Sequence, residues 1–586
     1  MTAVGLSENT PQSSLSHSTA AFPGDRKPRL PDQRREAQVC SVAEDLFNGL
    51  IVKVMSVSVR LKRGRTGSVF GRLEAIRTSW RFLSVVEHRE SRLTIPVLVI
   101  ILPTISAGLG LMLQSTWGDE VYTLYAVHRS LLDAVRAPLE LRNVPFYYFL
   151  AWFFTLRGES ILGGRLLSLF AFMGSAYFLY LLTEKVLNRR TALWATLVFV
   201  FNPVMIWYAQ DARMYAPWIL LCLASLYYQL RAMETGRMRD LAVFGVVFFL
   251  GCLTHFYHIF FAAASGVALF LYRPQQYRNR VLVTLVLAVL AAAPLIVIVF
   301  VLQLGNGAYR ESNVMGLAYL ALTYAIGFSY GPTNAELHVG NPVTLMMPYL
   351  PGAIAAVLAF WLPVLFGAWR MLKAEPRKAL MFVAFGIAVT VLPFAAAIIS
   401  KGVNFNARYA LPSLPFFVIL LAYGLSTMSR RWICLPVVMV FGVEAAGLAM
   451  HYGDAQHWKE DYRGLVSYLK AEAQPEDRIL FAPYPGYLGI LLKREVSLLN
   501  PKSIQESLSM PGRHFCILNS PWVCDPLSEM SKKLRRAPGM QAKAFPGFDV
   551  FVLTVPPRAA GAAPPEPIPA GSYSLWRQVE FPADGP

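Results

Sequence analysis

Eleven apolar runs dominate the chain between residues 94 and 450, at 94–113, 166–183, 191–206, 215–230, 241–254, 259–272, 281–303, 345–369, 379–399, 410–427 and 432–450. A helix crosses a bilayer with about 20 predominantly apolar residues. The pattern therefore predicts an all-α polytopic membrane protein with eleven transmembrane helices. Composition agrees, since 55% of the 586 residues are apolar, 15% are charged and the mean hydropathy is +0.43. Soluble domains carry roughly 25% charge, which excludes a soluble enzyme as the whole protein.

The formal charge of +18 is concentrated before and between the apolar runs. The five short loops 184–190, 231–240, 273–280, 370–378 and 428–431 hold 15 Lys/Arg, whereas the opposite-side loops after the first long one hold only Arg213, Arg310, Lys401 and Arg408. Basic loops stay on the cytoplasmic side. That asymmetry predicts an inside amino terminus, with the tail from 451 outside. Nucleic acid is excluded as a partner, because the basic residues orient spans and do not form a binding face.

Four regions follow. Residues 1–93 read as a basic, partly disordered cytoplasmic tail, with ten Lys/Arg between Lys53 and Arg92. Residues 94–450 form the membrane domain, residues 451–555 a small extracytoplasmic α/β domain, and residues 556–586 a Pro/Ala-rich flexible tail. In the α/β domain a helix is expected over 459–473 and strands at 478–482 and from Phe548. Within the first outer connection, an amphipathic stripe over 121–136 and the aromatic stretch 143–154 predict two juxtamembrane helices. Cys516 and Cys524 share the outer tail and form a disulfide if that compartment is oxidising.

Chemistry-bearing residues gather on one predicted side. Asp119 and Glu120 follow the first span. As isolated acids they would cap a helix, and as a functional pair they would supply a general base. Tyr208, Gln210, Asp211, Arg213 and Tyr215 join the third and fourth spans, and Lys401, Arg408 and Tyr409 precede the tenth. Aromatics at this depth are commonly interfacial belt residues. Carboxylates beside guanidinium groups, whose planar fork fits phosphate, point instead to a phosphate-bearing membrane substrate. His255 and His258 are weaker candidates for a divalent metal ion, since a third ligand is needed; no other cofactor is indicated.

These motifs resemble the class C (GT-C) membrane glycosyltransferases, in the bacterial group near the protein O-mannosyltransferases and the lipid A aminoarabinose transferases. The resemblance rests on Trp117, Asp119 and Glu120; on Pro145, Tyr147 and Tyr148; on the stretch from Gly158 to Arg165; on the Tyr208-to-Tyr215 motif; on Arg408, Tyr409 and Pro412; and on Trp458 to Arg463. It covers about 94–490. Asn143 stands where the family often has a histidine.

The resemblance implies a polyprenyl-phosphate-sugar donor, an acceptor hydroxyl on an extracytoplasmic lipid, glycan or protein, transfer outside a bacterial inner membrane, and inversion at the anomeric carbon. Asp119 would take the acceptor proton, Arg408, Arg213 and Lys401 would hold the departing phosphate, and Asp211 would orient Arg213 or a sugar hydroxyl. Tyr147, Tyr208, Tyr215 and Tyr409 would line the donor site. A secondary transporter is the competing class, but carriers place coupling charges near the midplane and commonly show two related halves, and neither feature is visible here.

Overall fold

A computed structural model describes the chain from residue 95 to residue 555, with short breaks and two longer ones at 305–313 and 520–539. The predicted amino-terminal and carboxyl-terminal tails and Lys401 lie outside the described residues.

The chain enters through an irregular apolar helix, Val97–Gly110. Three short helices follow: α1 (Gly118–Val127), α2 (Leu131–Glu140) and α3 (Phe146–Phe154). The membrane helices are α4 (Ile161–Val186), α5 (Arg189–Phe201), α6 (Pro203–Ala209), α7 (Tyr215–Thr235), α8 (Met238–Thr254), α9 (His258–Leu271), α10 (Arg278–Leu304), α11 (Met315–Ile326), α12 (Leu350–Ala374), α13 (Pro376–Ser400), α14 (Leu414–Thr427) and α15 (Cys434–Gly453). Six described helices are long and apolar enough to cross a membrane, and α5 with α6 makes a seventh if that pair, bent by 63°, is one span. The expected eleven is not reached by this measure. Two reasons are local: α8 has only 17 residues and α7 carries Gln229, Arg231 and Glu234 near its end.

Three further departures have identifiable causes. Pro203 cannot donate to a preceding carbonyl, so the third run breaks there into α5 and α6, and the Asn202 side chain caps the new helix through Val204 N–H at 3.1 Å. The single helix expected over 121–136 is two helices. At the second one's start, Asp133 accepts from the hydroxyl and the N–H of Ser130 and so begins α2 afresh. Helix α11 lies in a stretch read as loop.

Close packing sets the helix positions. Gly367 of α12 and Gly424 of α14 approach so nearly that a Cβ on Gly367 would lie 1.8 Å from the Leu420 carbonyl oxygen, so any larger residue would force the helices apart.

The carboxyl-terminal module begins with α16 (Tyr462–Glu472), capped by Asp461. It continues through β1 (Arg478–Ala482), α17 (Pro485–Leu492), β2 (Ser497–Leu498), β3 (Gly512–Asn519), β4 (Gln541–Phe545) and β5 (Phe548–Val555), in the sheet order β2-β1-β3-β5-β4. β1 pairs in parallel with β2 and β3, and β5 is antiparallel to β3 and β4. Tyr462, Leu465 and Leu469 on one face of α16 pack against Ile479, Phe481, Phe515, Ile517 and Val550. Val121 of α1 is buried in that same core. Cys516 sits buried in β3 as a free thiol, and Cys524 is outside the described residues.

Candidate active site

The site is organised by the first turn of α1. Trp117, its N-cap, makes no side-chain cap hydrogen bond. The Gly118 N–H is instead taken by a carboxylate oxygen of Glu460, at 2.9 Å, from the segment leading into the carboxyl-terminal module. Asp119 is thereby left to face elsewhere. Successive helical residues diverge by about 100°, and the adjacent acids accordingly have different partners.

Glu120 is fully buried. Its oxygens accept from Arg165 at 2.7 and 2.6 Å and from Ala212 N–H at 2.9 Å. Arg165 also donates to the carbonyls of Leu111, Gln114 and Ser115, tying the loop before α1 to α4. Arg165 reaches this position because Gly163 and Gly164 let α4 approach its neighbours. A Cβ on them would lie 1.6 Å from the Phe154 carbonyl oxygen and 2.8 Å from Ala212 Cβ, respectively. Glu120 was grouped with Asp119 as catalytic on sequence grounds, but with no exposed surface and both oxygens engaged it holds the site together and does not face a substrate.

Asp119 is partly open, its side chain 21% exposed, and one oxygen accepts from Arg408 at 2.6 Å. Arg408 belongs to a 3-10 turn, Ala407–Ser413, anchored where Tyr324 OH donates to the Ala410 carbonyl at 2.6 Å. Arg213 donates to the Asp119 carbonyl at 3.2 Å and lies over the Tyr122 ring at 4.9 Å. The Nε of Arg213 and the Nε of Arg408 are both buried without a hydrogen-bond partner among the described residues. Burial pushes the Asp119 carboxyl up, but Arg408, Arg213 and Lys459 outweigh it and hold the group below its ordinary value.

Asp211 does not orient Arg213 through its carboxylate. One oxygen accepts from Lys459 Nζ at 3.1 Å and from Trp117 Nε1 at 2.8 Å, while the other is buried without a hydrogen-bond partner among the described residues. Burial and the neighbouring Glu120 charge raise this carboxyl despite Lys459. Lys459 is itself 6% exposed and stands 3.8 Å from Glu120. Sequence reasoning included it only as part of the Trp458-to-Arg463 stretch, because a lysine beyond the last span reads as an ordinary surface cation. Four cations, Arg165, Arg213, Arg408 and Lys459, thus surround three carboxylates, Asp119, Glu120 and Asp211.

The tyrosines join the same region. Tyr208 and Tyr215 rings lie 4.9 Å apart, and Arg408 is within 6 Å of the rings of Tyr215 and Tyr409. Tyr147 is buried beside Tyr148, its hydroxyl without a hydrogen-bond partner among the described residues. His255 stacks on Trp218 at 4.1 Å, and His258 Nδ1 accepts from Trp218 Nε1 at 3.0 Å. These histidines sit in aromatic packing, and among the described residues no group of three or more His, Cys, Asp or Glu could hold a metal ion.

Residues 143–302 match the family described as Dolichyl-phosphate-mannose-protein mannosyltransferase. ArnT from Cupriavidus metallidurans bound to undecaprenyl phosphate shares the fold with a TM-score of 0.51 at 12% identity, over 79% of this chain and 98% of ArnT. The apo form of the same enzyme gives 0.50 at 12% identity, over 81% and 98%. The archaeal oligosaccharyltransferase AglB from Archaeoglobus fulgidus, in complex with an inhibitory peptide and a dolichol-phosphate, gives 0.42 at 12% identity, over 73% and 70%. No curated protein matches the chain in sequence. The chain thus shares the fold of ArnT, and a segment of it matches the mannosyltransferase family.

Proposed function

We propose that the protein transfers a sugar from a polyprenyl-phosphate carrier to an acceptor hydroxyl, with Asp119 as general base. The observation that carries this reading is the Asp119–Arg408 pair, a partly open carboxylate 2.6 Å from a guanidinium beside a second arginine. The acceptor oxygen attacks the anomeric carbon and its proton passes to Asp119. The carbon–oxygen bond to phosphate breaks, and the carrier leaves as polyprenyl phosphate. A single displacement of this kind inverts the anomeric centre.

A neutral hydroxyl is a weak nucleophile and the leaving phosphate gains charge, so a base and preorganised cations are both required. The excess of one cation over the carboxylates and the unpartnered Nε groups of Arg213 and Arg408 suit an anion. A phosphate drawing Arg408 away would also release Asp119 from its nearest positive charge and make it a stronger base. A polyprenyl-phosphate carrier accords with the undecaprenyl phosphate that ArnT, which shares the fold, binds. The charge asymmetry of the loops supports an inside amino terminus, with the site and the module on the extracytoplasmic side of a bacterial inner membrane.

Purified protein given a panel of polyprenyl-phosphate sugars is expected to release free polyprenyl phosphate from one of them. No release from any, by protein monodisperse in detergent, would overturn the reading.

A further inference from the structure

Helix α1 carries one line of partly open side chains, and it starts at the proposed base. Asp119, Tyr122, Tyr125 and His128 follow at three-residue spacing, all half-exposed, whereas Glu120, Val121, Thr123, Leu124, Ala126 and Val127 between them are buried. Three residues advance a helix by about 4.5 Å and leave it about 60° short of a full turn, so these side chains wind along the helix surface away from Asp119. The carboxyl-terminal module adds two more rings alongside. Tyr487 of α17 lies 6.3 Å from Tyr122 and 5.5 Å from Tyr125, and Tyr484, 46% exposed, stacks on Tyr487 at 5.0 Å. Contact between the two elements is close, since a Cβ on Gly486 would lie 2.9 Å from the Tyr125 ring.

We infer that this tyrosine line is the acceptor site and that the acceptor is a glycan, its successive rings resting along Tyr122, Tyr125, Tyr487 and Tyr484 with its terminal hydroxyl at Asp119. The inference rests on the proposed transfer reaction and names its acceptor class. Tyrosine joins an apolar ring to a polar hydroxyl, and the electron-rich ring face attracts the weakly positive C–H groups of a sugar. An alkyl chain would need a continuous aliphatic wall. The open side chains of α1 offer none, being Asp, Tyr, Tyr and His. A peptide would more naturally use unpaired backbone groups, and α1 and α17 have theirs engaged within the helices.

The test uses the full-length protein in detergent with oligosaccharides of one to five units built from glucose, mannose, galactose or arabinose. Binding is read by saturation-transfer NMR. At least one series should bind, with affinity rising to about three or four units. Tyr125→Ala and Tyr487→Ala should each weaken it by about tenfold, as expected for one aromatic contact, whereas Tyr487→Phe, which keeps the ring, should stay near wild type. Thermal melts of each variant separate this loss from misfolding. Absence of saccharide binding, equal binding by the alanine variants, or binding of an acceptor peptide in place of sugar would overturn the inference. Carrier release by wild-type protein is measured in parallel. Release without saccharide binding removes the glycan assignment alone, and failure of release removes the transfer reaction beneath it.

Discussion

Glu460 caps the helix that carries Asp119, its carboxylate accepting the Gly118 N–H at 2.9 Å across 342 residues of sequence. The cap of the helix that carries the proposed base therefore comes from the segment that leads into the carboxyl-terminal module. Glu460→Ala is expected to lose about 0.5–2 kcal/mol of stability, the usual worth of a cap, and to slow transfer as Asp119 shifts. Glu460→Gln keeps an oxygen acceptor and should recover most of both. Melting temperature and single-turnover rate, measured on the same preparations, check this; an unchanged Glu460→Ala would show that the cap is dispensable.

Asp119→Asn should abolish transfer while the protein stays monodisperse. A positioned base contributes about 10²–10⁴-fold, and the amide cannot take the proton. The fold should be kept, since the amide oxygen can still accept from Arg408, but the stability that the Asp119–Arg408 charge pair contributes at neutral pH should be lost. Transfer at saturating donor within a few-fold of wild type would remove Asp119 from the base role.

The acid limb of the pH profile tests the Asp119–Arg408 pair. Arg408 is one of the charges that hold the Asp119 carboxyl below its ordinary value, so Arg408→Gln should move the acid limb of kcat/KM to higher pH. The sign for stability follows from linkage. A folded-state value below the unfolded one, about 3.9, contributes stability fully present above that pH and lost as pH falls through the folded value. Urea denaturation at pH 6 and at pH 3 should therefore show a smaller acid-induced loss in Arg408→Gln than in wild type. Arg408→Lys keeps the charge without the fork and should weaken donor use while leaving the limb nearly in place.

Lys459→Met leaves Asp211 buried with its main counter-charge gone. Breaking a buried pair this way costs about 3–5 kcal/mol. The double variant Lys459→Met/Asp211→Asn, which removes both charges, should be more stable than Lys459→Met. Chemical denaturation of wild type, both single variants and the double variant gives the comparison, and additivity of the two single changes would argue against the pair.

The apolar runs mark where the membrane helices lie because spans must be apolar to enter lipid, and Asp119, Asp211, Arg213 and Arg408 stood out as charges at the ends of such runs. What composition cannot reveal is pairing between distant segments. Lys459 and Glu460 look like solvated residues until the fold brings them to Asp211 and Gly118. Glu120 looks like Asp119 until their directions are known. Strand β3, Gly-Arg-His-Phe-Cys-Ile-Leu-Asn, escaped notice because its continuous run from His514 is buried along its whole length, without the alternation that marks a half-buried strand. The bend after Phe201 was written in Asn202-Pro203, though its angle depends on packing against α11 and α15.

Val121, two residues beyond the proposed base, completes the core of a module whose helix α16 begins only at Tyr462. During synthesis at about 5–20 residues per second, α1 would emerge and wait on the order of tens of seconds for its covering surface. Ribosome-arrested chains that stop before the module should carry every membrane helix yet leave α1 readily digested by protease, and full-length chains should protect it. Assembly of the catalytic centre would then be the last event in making the protein, so that an unfinished chain in the membrane cannot begin to turn over the lipid-linked donor.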